Sequence, residues 1–277
     1  MRRIIVGVAA FLITAAQAPR PVFEAASVKI NTAQQAMVRV ATFPTRFSAV
    51  NANLRLLLRY AYNLPDFRMI GGPDWMDTAR FDIEGAAGAT VPFDEVRAMT
   101  RTLLEERFRL RAHMETRDQP IYLLTLARRD GKLGDQIKPS GSECLPITPP
   151  AGFPPPPPPP PGGAPRDGPG CGSMLGAGAI SGRKMSIERL IATLAPYANR
   201  VIVDRSGLAG LYDLDLRWLP DLTPFSTGPG LPPPPIADPN APPLFTALQE
   251  QLGLKLESSR GPVDVLVIDS VEKPSAD

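Results

Sequence analysis

Apolar and polar residues follow the same order of patterns in two separate stretches of the chain. In the first stretch, "FSAVNANLRLLLRYAY" (residues 47–62) places Asn51 and Asn53 before apolar residues at helical spacing, and "RFDIEG" (residues 80–85) alternates. A polar side chain before a 3.6-residue apolar repeat predicts the start of a helix. Strict alternation predicts a half-buried strand. This stretch therefore predicts a helix followed by a strand.

The first stretch ends in a second helix and a proline-containing region. The helical pattern lies in "FDEVRAMTRTLLEERF" (residues 93–108), and "RLRAHMETRDQPIYLLTLA" (residues 109–127) alternates on both sides of Pro120. Because proline cannot donate to a strand ladder, we predict a hairpin of two strands that turns at this proline.

The second stretch repeats this order. It begins with "ISGRKMSIERLIATLA" (residues 180–195), where Ser186 is the candidate helix cap, and continues through "LYDLDLRW" (residues 211–218) to a helix and a second proline-containing hairpin (residues 243–269). Chemically similar residues occupy matched positions: Phe47 and Ile180, Leu57 and Leu190, Phe81-Asp82-Ile83-Glu84 and Tyr212-Asp213-Leu214-Asp215, Pro120 and Pro262. Repetition of this length in the same order indicates an internal duplication.

These patterns predict an α+β fold made of two tandem similar blocks. Each block has the order strand, helix, strand, helix, strand, strand, and its helices pack on one side of a mostly antiparallel sheet. The strands that close the two blocks are expected to pair at their edges, which would make one continuous sheet with approximate two-fold symmetry.

Proline-rich loops separate and interrupt the blocks. The chain has 34 prolines, which cluster in residues 146–172 and 220–243. Consecutive prolines supply no amide donors and favour polyproline II, so neither cluster belongs to a core. The predicted organisation is a first block at residues 22–140, a proline-rich loop at 141–178 and a second block at 179–277, in which residues 220–243 are an insertion.

The overall composition indicates a globular protein and argues against nucleic acid as a partner. Of the 277 residues, 43% are hydrophobic and 21% are charged, and the formal net charge is +2. Binding to a phosphate backbone requires a concentrated basic face, which this balanced sequence lacks.

The N-terminus has the pattern of a secretory signal. Arg2 and Arg3 precede an apolar run from Ile4 to Ala16, and small residues follow it. The run is shorter than the roughly 20 apolar residues of a membrane span, so we expect residues 1–18 to be a signal peptide and the mature chain to be periplasmic or extracellular. Cleavage after Ala16 is an alternative. An uncleaved signal would be the only contact with a membrane.

The sequence contains none of the familiar catalytic signatures. It lacks the serine-hydrolase elbow, the His-Glu-x-x-His motif of zinc proteases, the phosphate loop and the dinucleotide fingerprint. His113 is the single histidine, so no relay between two histidines is available. We therefore expect no cofactor and favour a non-enzymatic module that binds an unidentified protein or ligand of the cell envelope.

Four acidic side chains at matched positions of the two blocks are candidates for a site. Asp82, Glu84, Asp213 and Asp215 lie on the corresponding predicted strands. A two-fold arrangement could bring them together as an oxygen-rich cation site or as a carboxylate pair for hydrolysis. Alternate acidic residues on a strand can also simply face water. A carboxylate-dependent hydrolase or a cation-binding protein is thus the alternative function.

Trp75 and Phe67 are candidates for a binding patch. Both lie in the turn-rich loop "YNLPDFRMIGGPDWMD" (residues 62–77). Aromatic side chains on a loop rich in glycine and proline can form a binding surface. They can equally close the end of a sandwich, and the sequence leaves both interpretations open.

Several segments resemble a known family. They are "FEAASVKINT", "LLLRYAYNLPDFRMIGGPDWMDTARFDIEG", "LLEERFRLRAHMETRDQPIYLLTLAR", "VIVDRSGLAGLYDLDLRW" and "LFTALQEQLGLKLESSRGPVDVLVIDSVEKPS". Together they resemble the soil-associated exported family that occurs in large paralogous sets in acidobacteria. The resemblance implies export and the two-block layout, and it transfers no catalytic residues because the family is a domain of unknown function. Some relatives resemble fusions to membrane metallopeptidases of the antibiotic-sensor type, whose zinc motif is absent here.

A shorter similarity implies a further alternative. "LFTALQEQLGLKLE" (residues 244–257) resembles the helix-to-strand unit of the short N-terminal domains of secretins and TonB-dependent receptors. It implies a periplasmic docking or sensory domain that acts by strand addition at a sheet edge.

The two cysteines of the chain are predicted to form a disulfide. Cys144 and Cys171 are the only cysteines and flank the first proline cluster. In an oxidising compartment, two thiols around one loop predict a disulfide, and two cysteines without nearby histidines cannot complete a zinc shell. We expect peptide mapping of the unreduced, exported protein to join Cys144 to Cys171, and reduction to lower the free energy of unfolding by up to about 3 kcal/mol. Free thiols in periplasmic material would contradict the prediction.

Overall fold

A computed structural model describes residues 20–33, 37–141, 172–176, 178–221, 238 and 240–274. The expected signal peptide (residues 1–18) and the expected disulfide partners Cys144 and Cys171 lie outside the described residues. In the part of the chain that the structure describes, none of the helices has both the length and the apolar content needed to cross a membrane.

The described residues form twelve strands and five α-helices, which confirms the α+β class. The first half of the chain contains β1 (Ala25–Ile30), β2 (Arg39–Phe43), β3 (Arg46–Ala52), α1 (Leu54–Tyr62), β4 (Met69–Gly71), α2 (Trp75–Thr78), β5 (Phe81–Ala86), α3 (Phe93–Arg107) and β6 (Arg111–Leu126). The second half contains β7 (Ile137–Pro139), β8 (Gly172–Gly176), β9 (Ala179–Ser186), α4 (Ile187–Ala198), β10 (Ile202–Asp204), β11 (Leu211–Arg217), α5 (Leu244–Ala247) and β12 (Leu254–Ser270). A 3-10 helix (Asp66–Arg68) precedes β4, and a π-helical turn (Leu248–Leu252) extends α5.

Local polar residues set the ends of α1 and α4. The Asn53 side chain accepts a hydrogen bond from the Leu56 amide at 2.8 Å, and the Ser186 hydroxyl accepts one from the Arg189 amide at 3.1 Å. These side chains satisfy amides that a helix start leaves without partners. Both helices end at an asparagine in the left-handed conformation, Asn63 with φ 53° and Asn199 with φ 50°. The predicted capping roles of Asn53 and Ser186 are confirmed.

The strands form three four-stranded sheets. The first outer sheet has the order β1-β5-β3-β2, and the second outer sheet has the order β7-β11-β9-β8. The two orders are equivalent: in each half, the sheet contains the first, fifth, third and second strands of that half, in this order. The central sheet, β10-β6-β12-β4, takes two strands from each half.

The long strands β6 and β12 join the two halves. They pair antiparallel from Leu254 opposite Leu126 to Ser270 opposite Arg111, and β10 and β4 add parallel to their outer edges. The closing strands of the two halves therefore pair as expected, but they lie at the centre of a separate sheet, and the expected single continuous sheet is wrong because the described strands divide into three sheets.

The prediction of a hairpin at each proline is wrong. Pro120 and Pro262 lie inside β6 and β12, which run straight through both positions. The Tyr122 amide donates outward to the Val201 carbonyl at 2.9 Å, and the Asp264 carbonyl accepts outward from Arg68 Nε at 2.7 Å. Since Pro120 is two residues from Tyr122 and Pro262 two from Asp264, each proline nitrogen also faces outward. Proline is tolerated where its missing N–H faces away from the partner strand.

Each of the two main cores contains a strand from the other half. The first core packs α1, α3 and the first outer sheet against Leu266 and Ile268 of β12. The second core packs α4, α5 and the second outer sheet against Leu124 of β6, together with β12 residues Leu254 and Leu256. Neither half thus completes its core alone.

This interlocking predicts that the described halves unfold together. Leu57 in the first core and Leu190 in the second are fully buried, so Leu57→Ala and Leu190→Ala should each lower the free energy of unfolding by about 2–5 kcal/mol. We expect a single calorimetric transition that moves as a whole in both variants. Two separated transitions in either variant would contradict the shared core.

Candidate functional site

Asp82 and Asp213 perform the same structural task in the two outer sheets. Asp82 Oδ1 accepts hydrogen bonds from the Asn51 amide and from Asn31 Nδ2, both at 2.8 Å. Asp213 Oδ1 accepts from the Lys184 amide at 3.1 Å and from the Ser140 hydroxyl at 2.6 Å.

The amide donors in both cases lie at irregularities in strand pairing. Asn51 and Lys184 have φ values of 53° and 52°, a conformation unusual for residues other than glycine. The register shifts at these points, between β3 and β5 and between β9 and β11. Each aspartate therefore holds a bulge in place.

The other two acidic candidates make separate contacts. Glu84 Oε1 accepts from the Ser48 hydroxyl at 2.6 Å, and Asp215 Oδ2 lies 3.5 Å from Arg183 Nη1. Asp82 and Glu84 belong to the first outer sheet, whereas Asp213 and Asp215 belong to the second. Among the described residues, no group of three or more His, Cys, Asp or Glu side chains is arranged to hold a metal ion.

The two aromatic candidates lie in different surroundings. Trp75 packs against the first core, where its ring meets Phe81 edge to face at a centroid distance of 6.3 Å and lies 5.8 Å from Lys273 Nζ. Phe67 lines a surface groove instead. Trp75 thus contributes to the core surface, and Phe67 is the aromatic candidate placed at a cavity.

The groove that Phe67 lines lies between the two halves of the chain. We call it the interhalf groove; its first wall lies within residues 59–68 and its second wall within residues 191–202, and its volume is about 650 Å³. Each wall consists of the end of a helix, α1 or α4, and the residues that lead into β4 or β10. The groove is therefore bounded by corresponding elements of both halves.

The walls of the interhalf groove are mainly apolar but differ in detail. The second wall presents Ile191, Ala192, Ala195 and Pro196, whose spacing places them along one side of α4. The first wall presents Leu64, Pro65 and Phe67. The second wall thus includes two alanines, whereas the apolar side chains of the first wall are larger.

Charged side chains lie on the first wall of the groove. Arg59 Nη1 is 3.8 Å from Asp66 Oδ2, and both side chains are 50% exposed. Arg68 is held by its bond to the Asp264 carbonyl. By contrast, Arg55, one turn before Arg59, donates two hydrogen bonds to the Asp77 carboxylate, at 2.6 and 3.1 Å. These bonds raise the pKa of Arg55.

A comparison with known protein families assigns the chain to one family. The sequence profile of a family described as a protein of unknown function, DUF3738, matches residues 55–271. The chain belongs to the DUF3738 family. The matched range contains both walls of the interhalf groove, both long strands and the four acidic candidates. No curated protein and no solved structure matches the chain.

A second, polar recess of about 610 Å³ lies beside β11 in this DUF3738 member. Asp215, Arg217 and Gln251 are among its lining residues. The Gln251 amide group clamps the Arg217 backbone, because Oε1 accepts from its N–H at 2.9 Å and Nε2 donates to its carbonyl at 2.7 Å. The polar groups of Gln251 therefore hold β11 against the turn that follows α5.

The single histidine lies away from both recesses. His113 Nδ1 is 2.9 Å from Asp269 Oδ2, and His113 Nε2 is 3.8 Å from Glu115 Oε2. The hydrogen bond from Arg117 lowers the pKa of Glu115. These exposed side chains form a charged cluster on the pair β6 and β12.

Sequence reasoning missed most of the interhalf groove. Arg59 and Asp66 carry no motif, and only the tertiary structure brings α4 to them. The sequence of α4 contains one indication of the groove, because the apolar side chains of this helix extend beyond the stripe of residues that is buried in the core. The stripe consists of Ile187, Leu190 and Leu194, and the additional apolar residues are Ile191, Ala192, Ala195 and Pro196.

The bulge contacts predict which carboxylates stabilise the fold. Asp82→Ala and Asp213→Ala should each lower the free energy of unfolding by about 1.5–3 kcal/mol, because both remove charged acceptors of backbone amides. Asp215→Ala removes only a half-exposed ion pair and should cost less than about 1 kcal/mol. Urea denaturation measures all three. Equal effects at Asp213 and Asp215 would contradict the assigned roles.

Proposed function

We propose that the protein is an exported, non-catalytic binding module of the cell envelope that holds its ligand in the interhalf groove. The observation that carries this proposal is the groove itself, whose apolar walls come from corresponding elements of the two halves.

The size and construction of the groove support ligand binding. Its volume of about 650 Å³ lies within the range of roughly 300–1,000 Å³ that is usual for small-molecule sites. Both walls are anchored: α1 buries Leu57 and Leu58 in the first core, and α4 buries Leu190 and Leu194 in the second. The groove is therefore largely formed before a ligand enters.

The chemistry of the groove favours binding over turnover. Its charged lining residues are Arg59, Asp66 and Arg68. Arginine stays protonated in proteins, so Arg59 and Arg68 supply hydrogen-bond donors and positive charge. Of these three residues, only Asp66 can accept a proton at neutral pH. Nucleophilic catalysis pairs a nucleophile with an activating group, and the described lining residues include no serine, cysteine, threonine, lysine or histidine.

The N-terminal sequence supports the envelope location. Arg2 and Arg3 followed by a short apolar run are typical of a signal for export.

The alternative function, strand addition at a sheet edge, is disfavoured near the centre of β6 and β12. Each of these strands has a proline whose nitrogen faces outward and cannot donate to an added strand. Arg260 also bonds to Asp118 of β6, at 2.7 and 3.0 Å.

Titration with N-phenyl-1-naphthylamine, a neutral apolar dye, tests the groove. We expect a saturable rise in fluorescence with one site per chain. Ala192→Trp should weaken dye binding about tenfold or more, because the indole fills apolar space between the walls. Thr193→Trp, on the same helix but turned away from the lining residues, should leave binding unchanged.

Two results would overturn the proposal. One is equal loss of dye binding in Ala192→Trp and Thr193→Trp while both variants keep the wild-type melting temperature. The other is turnover of ester, glycoside or peptide substrates that Asp82→Asn or Asp213→Asn abolishes in folded protein, which would favour the hydrolase.

A further inference from the structure

We infer that the ligand of the interhalf groove is an apolar chain that carries one acidic group, such as a carboxylate. This inference rests on the proposed function and specifies the ligand class. It arises from the combination of apolar walls with an excess of positive charge on the first wall.

The charges of the groove do not balance. Arg59 and Arg68 supply two positive charges, whereas Asp66 supplies one negative charge among the lining residues. An arginine beside apolar surface recognises a carboxylate or a similar anion through charge-assisted hydrogen bonds. A neutral or cationic ligand would leave this excess without a partner.

The contact between Arg59 and Asp66 is open to exchange. At 3.8 Å and half exposure, it is a longer and looser contact than the bond of 2.6 Å from Arg55 to Asp77. Exposed ion pairs of this kind contribute little to stability. An anionic ligand can therefore replace the Asp66 carboxylate on Arg59, with Asp66 acting as a competitor.

Arg68 provides a second, fixed cation. The bond of 2.7 Å from Arg68 Nε to the Asp264 carbonyl ties its guanidinium to the outer edge of β12. Because this contact uses a neutral backbone acceptor, the charge of Arg68 is not neutralised by it.

The opposite wall suits the apolar part of the ligand. Ala192 and Ala195 are small, and Ile191 and Pro196 add apolar surface along the same side of α4. An acyl or similar chain lying along α4 would bury its own apolar surface and that of the wall. Burial of this kind supplies affinity in proportion to the area removed from water.

Three probes with the same chain length separate these contributions. We would measure dissociation constants for decanoate, decanol and decylamine by displacement of the naphthylamine dye at 0.15 M salt. Decanoate should bind on the order of tenfold more tightly than decanol, and decylamine should bind more weakly than both, because a partly exposed charge at about 4 Å is worth a factor of this size.

Two substitutions give effects of opposite sign. Asp66→Asn should tighten decanoate binding about three- to tenfold, since it removes the competing carboxylate, while decanol binding stays unchanged. Arg59→Gln should reduce the affinity for decanoate toward that for decanol. The matched control is Asp77→Asn, which removes a carboxylate that contacts the same helix outside the groove. It should leave both affinities unchanged.

The outcomes distinguish the two proposals. Equal binding of decanoate and decanol to the wild type would overturn the acidic ligand class and leave the groove as a binding site. Equal effects of Asp66→Asn and Asp77→Asn would also overturn it, because they would show a general charge effect and no direct competition. Failure of every probe and of the dye to bind would overturn the proposed function itself.

Discussion

The antiparallel pairing of β6 with β12 is the interaction on which the rest of the structure depends. It places Leu266 and Ile268 of the second half in the first core, and Leu124 of the first half in the second core. Each half lacks part of the apolar surface that its helices must cover. The same pairing fixes β4 and β10, and therefore sets the positions of the helix ends that form the interhalf groove.

Corresponding positions of the two halves make similar contacts in the outer sheets and differ in chemistry along the interhalf groove. Asp82 and Asp213 are alike in both sequence and contacts, since each holds a bulge through an amide of a left-handed residue. The two walls of the groove occupy corresponding places but differ in chemistry: one carries Arg59, Asp66 and Arg68, and the other has no charged side chain among its described lining residues and is mainly apolar. The similar positions are those that the fold requires, and the differing positions lie where we propose that a ligand binds.

The errors of the sequence analysis have definite physical causes. The hairpins were inferred from Pro120 and Pro262, but proline breaks a strand only where its missing N–H would face a partner. Here the nitrogen faces outward, a fact that depends on the register of β6 against β12. The matched carboxylates were considered as a joint site because their positions correspond in sequence, yet correspondence places them in separate sheets. Phe67 was identified as a candidate, whereas its neighbours Arg59 and Asp66 were not, because no local pattern marks a groove wall.

The α+β class and the caps at Asn53 and Ser186 could be predicted from the sequence, because they follow from local hydrogen bonding and from apolar periodicity along a few turns or strands. Tertiary packing was needed to reveal two sets of contacts: the register of β6 against β12, which carries each strand straight through its proline, and the placement of residues 59–68 opposite residues 191–202. Those contacts join positions more than a hundred residues apart. They depend on how whole elements pack, which no short segment encodes.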